Sequence, residues 1–236
     1  MPLPLNLAMT PSEIAAAPAL PAEIAWMACH FSSDGAGLDT LPAHLPEGSL
    51  LILDDSVPCR GHSAGLAAEI LGELASRFRC CGVLLDFQRP GNAGSAAVAA
   101  RLAAALPCPV AVTPEYAADL PCPVFLPPAP LHMPLEKYLR PWAGREIWLE
   151  AALCRETATV TKNGTTFVPR SSLHLPNGGF YDEKLRCHYL TKVQKDSVQF
   201  TLFDTHETLL KKLELAHSLG VTRAVGLWQE LGKIPV

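Results

Sequence analysis

The chain has 236 residues, 49% of them apolar and 18% charged, with a formal net charge of −4. That balance fits a soluble globular protein with a large buried core and excludes disorder as the main state. It supplies no basic footprint for nucleic acid or an anionic membrane surface, and no apolar run approaches a membrane span.

The N-terminal stretch Met1-Pro2-Leu3-Pro4-Leu5 lacks the basic and continuous apolar regions of a secretory signal, so a cytoplasmic location is expected. Residues 1–22 are rich in proline and alanine and read as an N-terminal extension, with Thr10-Pro11-Ser12-Glu13 as a helix start. Ile24 to Phe31 reads as the first strand. Ser32 to Gly48 is too short and too rich in glycine, serine and proline for a crossover helix. Ser49 to Asp55 is a second buried strand, ending in two acids. His62 to Arg79 carries Leu66, Ile70, Leu74 and Phe78 at helical spacing.

The next strand, Cys81-Gly82-Val83-Leu84-Leu85-Asp86-Phe87-Gln88-Arg89-Pro90, is the most informative stretch. Strand alternation puts Leu84, Asp86 and Gln88 on one face and Val83, Leu85 and Phe87 on the other. An acid and an amide therefore point the same way at the carboxyl end, where active sites of α/β barrels lie.

Asn92 opens an alanine-rich helix to about Leu106. Short strands follow at Pro109–Thr113, with Glu115 and Tyr116 just past its end, and at Pro123–Leu126. Leu135 to Trp142 is a weak helix, and Glu146 to Leu153 a further strand. Alternating strands and helices point to a parallel sheet closed into a barrel. From Thr157 the pattern turns antiparallel, with an Asn163-Gly164 hairpin and a strand pair at Tyr189–Val193 and Ser197–Phe203, an insertion over residues 157–203. Asp204-Thr205-His206-Glu207 starts a helix ended by Gly220, and Ala224 to Trp228 is the last strand. No glycine-rich phosphate loop stands at any strand-to-helix turn, and no cofactor is expected.

Eight cysteines, two of them adjacent at Cys80-Cys81, read as reduced and mostly buried thiols. Cys59-Arg60-Gly61-His62 and Cys187-His188 pair cysteine with histidine at close spacing but offer too few ligands for zinc, and no metal site is expected.

The strand around Asp86 resembles the signature D-G-x-D-x-D-x-E of glycoside hydrolase family 18, the chitinase-like barrels. Gly82, Asp86 and Pro90 match, whereas Cys81, Leu84, Gln88 and Arg89 depart. The closing region is similar too, through Tyr181-Asp182-Glu183, Tyr189, Phe203-Asp204, Lys211-Lys212-Leu213, Gly220-Val221 and Val225-Gly226-Leu227-Trp228. The resemblance implies a single TIM-type (β/α) barrel domain over residues 1–236. Only two strands are visible before Gly82 where the family has three, so an incomplete or distorted barrel of seven or eight strands is expected.

The resemblance also implies a substrate-assisted mechanism in which a glutamic acid protonates the glycosidic oxygen while the substrate's acetamido group attacks. Asp86 holds the orienting position, but Gln88 stands where the acid belongs, and a neutral amide has no proton to give. Leu84 replaces a second aspartate. Phe125-Leu126-Pro127-Pro128 replaces the segment bearing a Tyr-Asp pair. Two readings follow. One is a chitinase-like protein without chitinase activity that either serves as a scaffold or binds an oligosaccharide of N-acetylated amino sugars through Asp86, Gln88, Tyr116 and a stacking Trp228. The other is an active glycosidase whose acids have moved to other strand ends, with Glu115 or Glu150 as acid and Asp86 or Asp55 as partner. Oligomeric state is left open.

Overall fold

The computed structural model describes residues 2–34, 37–58, 63–89, 92–118, 120–169 and 178–232. Pro90, Cys59 and His62 lie outside the described residues. Strand β1 (Leu5–Met9) leads through helix α1 (Pro11–Ala16) to β2 (Ile24–Phe31), the two-residue β3 (Leu38–Asp39) and β4 (Leu50–Asp54). Helix α2 (Ala64–Arg77), β5 (Gly82–Asp86), α3 (Ala93–Ala105), β6 (Val110–Val112), α4 (Pro114–Ala117), β7 (Val124–Leu126), α5 (Leu135–Leu139) and β8 (Ile147–Ala151) follow in alternation.

The strands β1, β2, β4, β5, β6, β7, β8 and β14 (Val221–Leu227) pair in that order, all parallel, and β14 pairs back onto β1. The result is a closed eight-stranded barrel, with β3 added antiparallel outside β2. The TIM-type reading holds, and the missing strand is found: three barrel strands precede the signature strand, not two. Residues 1–22 are therefore not an extension. Leu5–Met9 is buried at all five positions, and its signal in the sequence is masked by flanking prolines and by the small Asn6 and Ala8 on its inner face. The Thr10–Glu13 capping box forms as the sequence requires, with the Thr10 N–H donating to Glu13 at 2.8 Å and the Glu13 N–H to Thr10 Oγ1 at 3.4 Å.

Between β8 and helix α6 (His206–Ser218) lies a second sheet of five antiparallel strands: β9 (Arg155–Thr161), β10 (Gly164–Pro169), β11 (Phe180–Asp182), β12 (Cys187–Gln194) and β13 (Ser197–Phe203). The first hairpin turns at Lys162 and Asn163, with Thr161 paired to Gly164. Gly164 takes φ +130°, a conformation that suits glycine. The sheet packs through Ala158, Cys187 and Leu202 against Leu131, in the loop that follows β7. Helix α7 (Trp228–Leu231) follows β14 directly.

Alternation along each strand divides the apolar residues into two populations. Val83, Leu85 and Phe87 face outward with Leu51, Leu53, Val112 and Leu149, covered by Leu71 and Leu74 of α2, Val98 and Leu102 of α3 and Leu213 of α6. Leu84 faces inward with Ala8, Ala25, Leu50, Ile52, Ala111, Phe125, Trp148 and Val225. Small residues on several strands leave room for the Trp148 indole, which fills the barrel axis. A Cβ on Gly82 would stand 2.6 Å from that indole, so β5 can pass it only with glycine there. Arg223 lies 5.1 Å from the Trp148 ring centre and donates to Asn6 at 2.5 Å, closing the amino-terminal end of the barrel.

Candidate functional site

At the other end, where the strands' carboxyl termini converge, the packed interior stops and a cavity of about 140 Å³ opens above Leu84 and Phe125. Its apolar base is completed by Ala8, Met27, Ile52, Val225 and Leu227, and its polar groups are Asp86, Gln88 and Glu150. This volume is below the roughly 300–1,000 Å³ of pockets that enclose a drug-sized molecule. It accommodates one edge or substituent of a ligand whose remainder lies on the rim.

The loop carrying Gln88 is fixed from behind. Asp55, buried at 2% exposure, accepts the Gln88 N–H at 2.9 Å, the Arg89 N–H at 3.3 Å and the Ser95 hydroxyl at 3.4 Å. The Thr113 hydroxyl donates to the Phe87 carbonyl at 3.0 Å, and the Tyr116 hydroxyl donates to the Arg89 carbonyl. With its backbone held, Gln88 turns its side chain inward and donates from Nε2 to Asp86 Oδ1.

Burial raises the pKa of Asp86; the Gln88 amide opposes that shift, and Asp54 and Asp55 add to it. Asp54 is its direct neighbour in register across β4 and β5. Glu150, on β8, is also raised, first by burial and then by Asp86 and Glu230. Tyr138 is pushed up to about 12 by burial, with Glu150 and Cys154 contributing. Its hydroxyl donates to the Pro127 carbonyl at 2.8 Å. Both site carboxyls thus favour the protonated form more than free acids do, and each can hold or release a proton nearer neutrality.

Of the residues named from sequence, Asp86, Gln88 and Glu150 meet in the cavity. The others do not line it. Asp55 points outward to the β5–α3 loop. Glu115 is exposed on α4. Tyr116 packs edge-on against Phe87, 5.9 Å between ring centres, on the outer side of the barrel wall. Trp228 falls one residue beyond β14, where alternation turns it away from the lumen; it packs on the outer core while Leu227 borders the cavity. The stacking floor expected of Trp228 is therefore absent from this cavity. Pro127 and Pro128 do not obstruct it either. Met27 and Phe125 were missed as lining residues, although strand parity at Phe125 pointed inward.

The seven cysteines among the described residues are free thiols. Burial drives Cys29, Cys80, Cys154 and Cys187 up to about 12 and Cys108 to about 11, so these thiols stay protonated and unreactive. Among the described residues, no group of three or more His, Cys, Asp or Glu is arranged to hold a metal ion, and no helix is long and apolar enough to cross a membrane.

The sequence matches no family model and no curated protein. Similarity appears in three dimensions. A family 18 chitinase from Cycas revoluta in complex with (GlcNAc)4 superposes with a TM-score of 0.58 at 13% identity, over 95% of this chain and 94% of that one. The class V chitinase of Nicotiana tobaccum gives 0.55 at 11% identity, over 96% and 93%. The spore cortex-lytic enzyme SleL of Bacillus cereus gives 0.55 at 12% identity, over 99% and 72%. At these identities the likeness is one of fold: the closed parallel barrel is that of the chitinases and cortex-lytic enzymes.

Proposed function

We propose that this chain is a chitinase-like barrel that binds an oligosaccharide of N-acetylated amino sugars at its carboxyl-terminal mouth and does not hydrolyse it by the substrate-assisted route. The observation that carries this reading is the Gln88 amide in the cavity, hydrogen-bonded to Asp86. A substrate-assisted reaction needs an acid beside the orienting carboxylate, and the group in that place is a neutral donor. Leu84 and Phe125 make the base of the cavity apolar, so no further carboxylate stands below Asp86 to polarise it. The neighbour solved with (GlcNAc)4 supports the choice of ligand class. The test pairs titration calorimetry against an N-acetylglucosamine tetramer with release of a chromogenic leaving group from the same series. Binding without turnover is expected; turnover by the unaltered protein defeats the reading.

A second reading has one specific observation in its favour. Glu150 faces the same cavity as Asp86 with a raised pKa, as a relocated proton donor would. If hydrolysis is found, loss of turnover in Glu150→Gln but not in Glu115→Gln identifies this carboxyl as the acid.

A further inference from the structure

The charge and hydrogen-bond inventory of the cavity narrows the ligand class. Its polar lining consists of two carboxyls and one amide, and that amide already donates to Asp86. The ionisable groups acting on Asp86 are Asp54 and Asp55, and those acting on Glu150 are Asp86 and Glu230. All are acids. Among the described residues no lysine or arginine lines the cavity, and Glu150 accepts no hydrogen bond from the protein. Half-buried carboxylates without a cation or sufficient donors are unfavourable unless something else supplies both.

An acetamido group supplies them less well: it has a single N–H donor and no charge, and its carbonyl needs a donor in turn, for which the site offers one N–H of Gln88 or a carboxyl that keeps its proton. A protonated amine supplies both: it carries a positive charge and three donors, and it is smaller than an acetamido group in a cavity of about 140 Å³. A bare divalent cation is a poorer match, since hard cations take six or more oxygen ligands and the floor here is Met27, Ile52, Leu84 and Phe125. That floor suits the C–H surface of a sugar ring attached to the amine.

We infer that the unit seated over Asp86 and Glu150 is a de-N-acetylated amino sugar, a glucosamine-type residue with a free ammonium, within an otherwise N-acetylated chain. This rests on the sugar-binding reading above and specifies the occupant of the cavity. The test is titration calorimetry of the intact protein with two probes, a β-1,4-linked glucosamine tetramer and its fully N-acetylated counterpart. Both are repeated on Glu150→Gln and Asp86→Asn, with a thermal melt confirming that each variant is folded. The de-N-acetylated tetramer is expected to bind at least about tenfold more tightly, the scale of a charge-assisted hydrogen bond. Glu150→Gln should remove about tenfold of that affinity while changing the N-acetylated tetramer less than about twofold. A preference for the N-acetylated probe, or equal weakening of both probes by Glu150→Gln, overturns the inference and leaves the sugar-binding reading standing. Unchanged affinity of the glucosamine tetramer in both variants also overturns it, since the attraction would then come from the acidic surface at large. Binding of neither tetramer overturns the inference and the sugar-binding reading together.

Discussion

Placing an acid at position 88 is the sharpest perturbation of this site. In Gln88→Glu the donor to Asp86 Oδ1 becomes a carboxyl. Below the usual carboxylate range the new group is protonated and donates as the amide did, so stability should match the parent. As pH rises the pair must either retain one proton or hold two negative charges in contact. Each unit of pH between the unfolded-state pKa and the pair's raised folded-state pKa then costs about 1.4 kcal/mol. The ceiling is the repulsion of two like charges at short range, about 4 kcal/mol at an effective dielectric of 20. The sign follows from linkage: the folded-state pKa of the pair lies above its unfolded value, so destabilisation is absent at low pH and grows as pH rises through that interval. The urea-unfolding difference between parent and variant should be near zero at pH 4 and about 2–4 kcal/mol at pH 8. Chromogenic turnover should stay at background, although a positioned acid is typically worth about a hundredfold to ten-thousandfold. Leu84 and Phe125 leave the acid without the polar groups that would orient it and stabilise a cyclised intermediate. A pH-independent stability difference would refute the contact between positions 86 and 88. Robust turnover in the single variant would refute the conclusion that the rest of the site is unequipped.

Gly82→Ala should cost about 1–3 kcal/mol in urea unfolding because its Cβ meets the Trp148 indole at 2.6 Å, and the loss should shrink in a Trp148→Phe background. Asp55→Ala leaves the Gln88 and Arg89 amides unpaired and should cost about 1–3 kcal/mol while weakening any ligand held by Gln88, with calorimetry reading the second effect. Trp228→Ala should lower thermal stability yet leave glycan affinity within about twofold, because its ring lies on the outer core; a tenfold loss of affinity would return it to the binding surface. Lys212→Met strands the Asp204 carboxylate, which is 2% exposed and bonded to Lys212 at 2.7 Å, and should cost about 3–5 kcal/mol by the same unfolding measurement.

What was legible in the sequence was governed by period. Two-residue alternation in the signature strand placed Leu84, Asp86 and Gln88 on the lumen side and Val83, Leu85 and Phe87 on the helix side, as found. The same alternation, carried through Glu146, Trp148 and Glu150, would have singled out Glu150 as the strand-end acid facing inward. What failed was governed by local geometry that composition does not encode. The bulge between Val221 and Arg223, together with the end of β14 at Leu227, decides on which side of the wall Trp228 falls. The turn into α4 carries Tyr116 out of the lumen. Strand β1 was hidden because its inward positions hold Asn6 and Ala8, which weaken any apolar run, and because prolines before it resemble a tail.

The support behind the signature strand bears on whether this is a decaying site. A loop released from function would be expected to lose the polar groups that hold it, since buried donors and acceptors stabilise only when all of them are paired. Here the β5–α3 loop retains a buried carboxylate accepting two successive amides, a buried threonine on the Phe87 carbonyl and a tyrosine hydroxyl on the Arg89 carbonyl. These contacts fix Gln88 to a geometry in which its amide can reach Asp86, whereas a solvent-facing glutamine would need none of them. The scaffold that positions the side chain is thus fully paired, and the side chain it positions is a neutral amide. Under the proposed binding role, that combination makes the orientation of Gln88, more than its identity alone, the property on which affinity should depend.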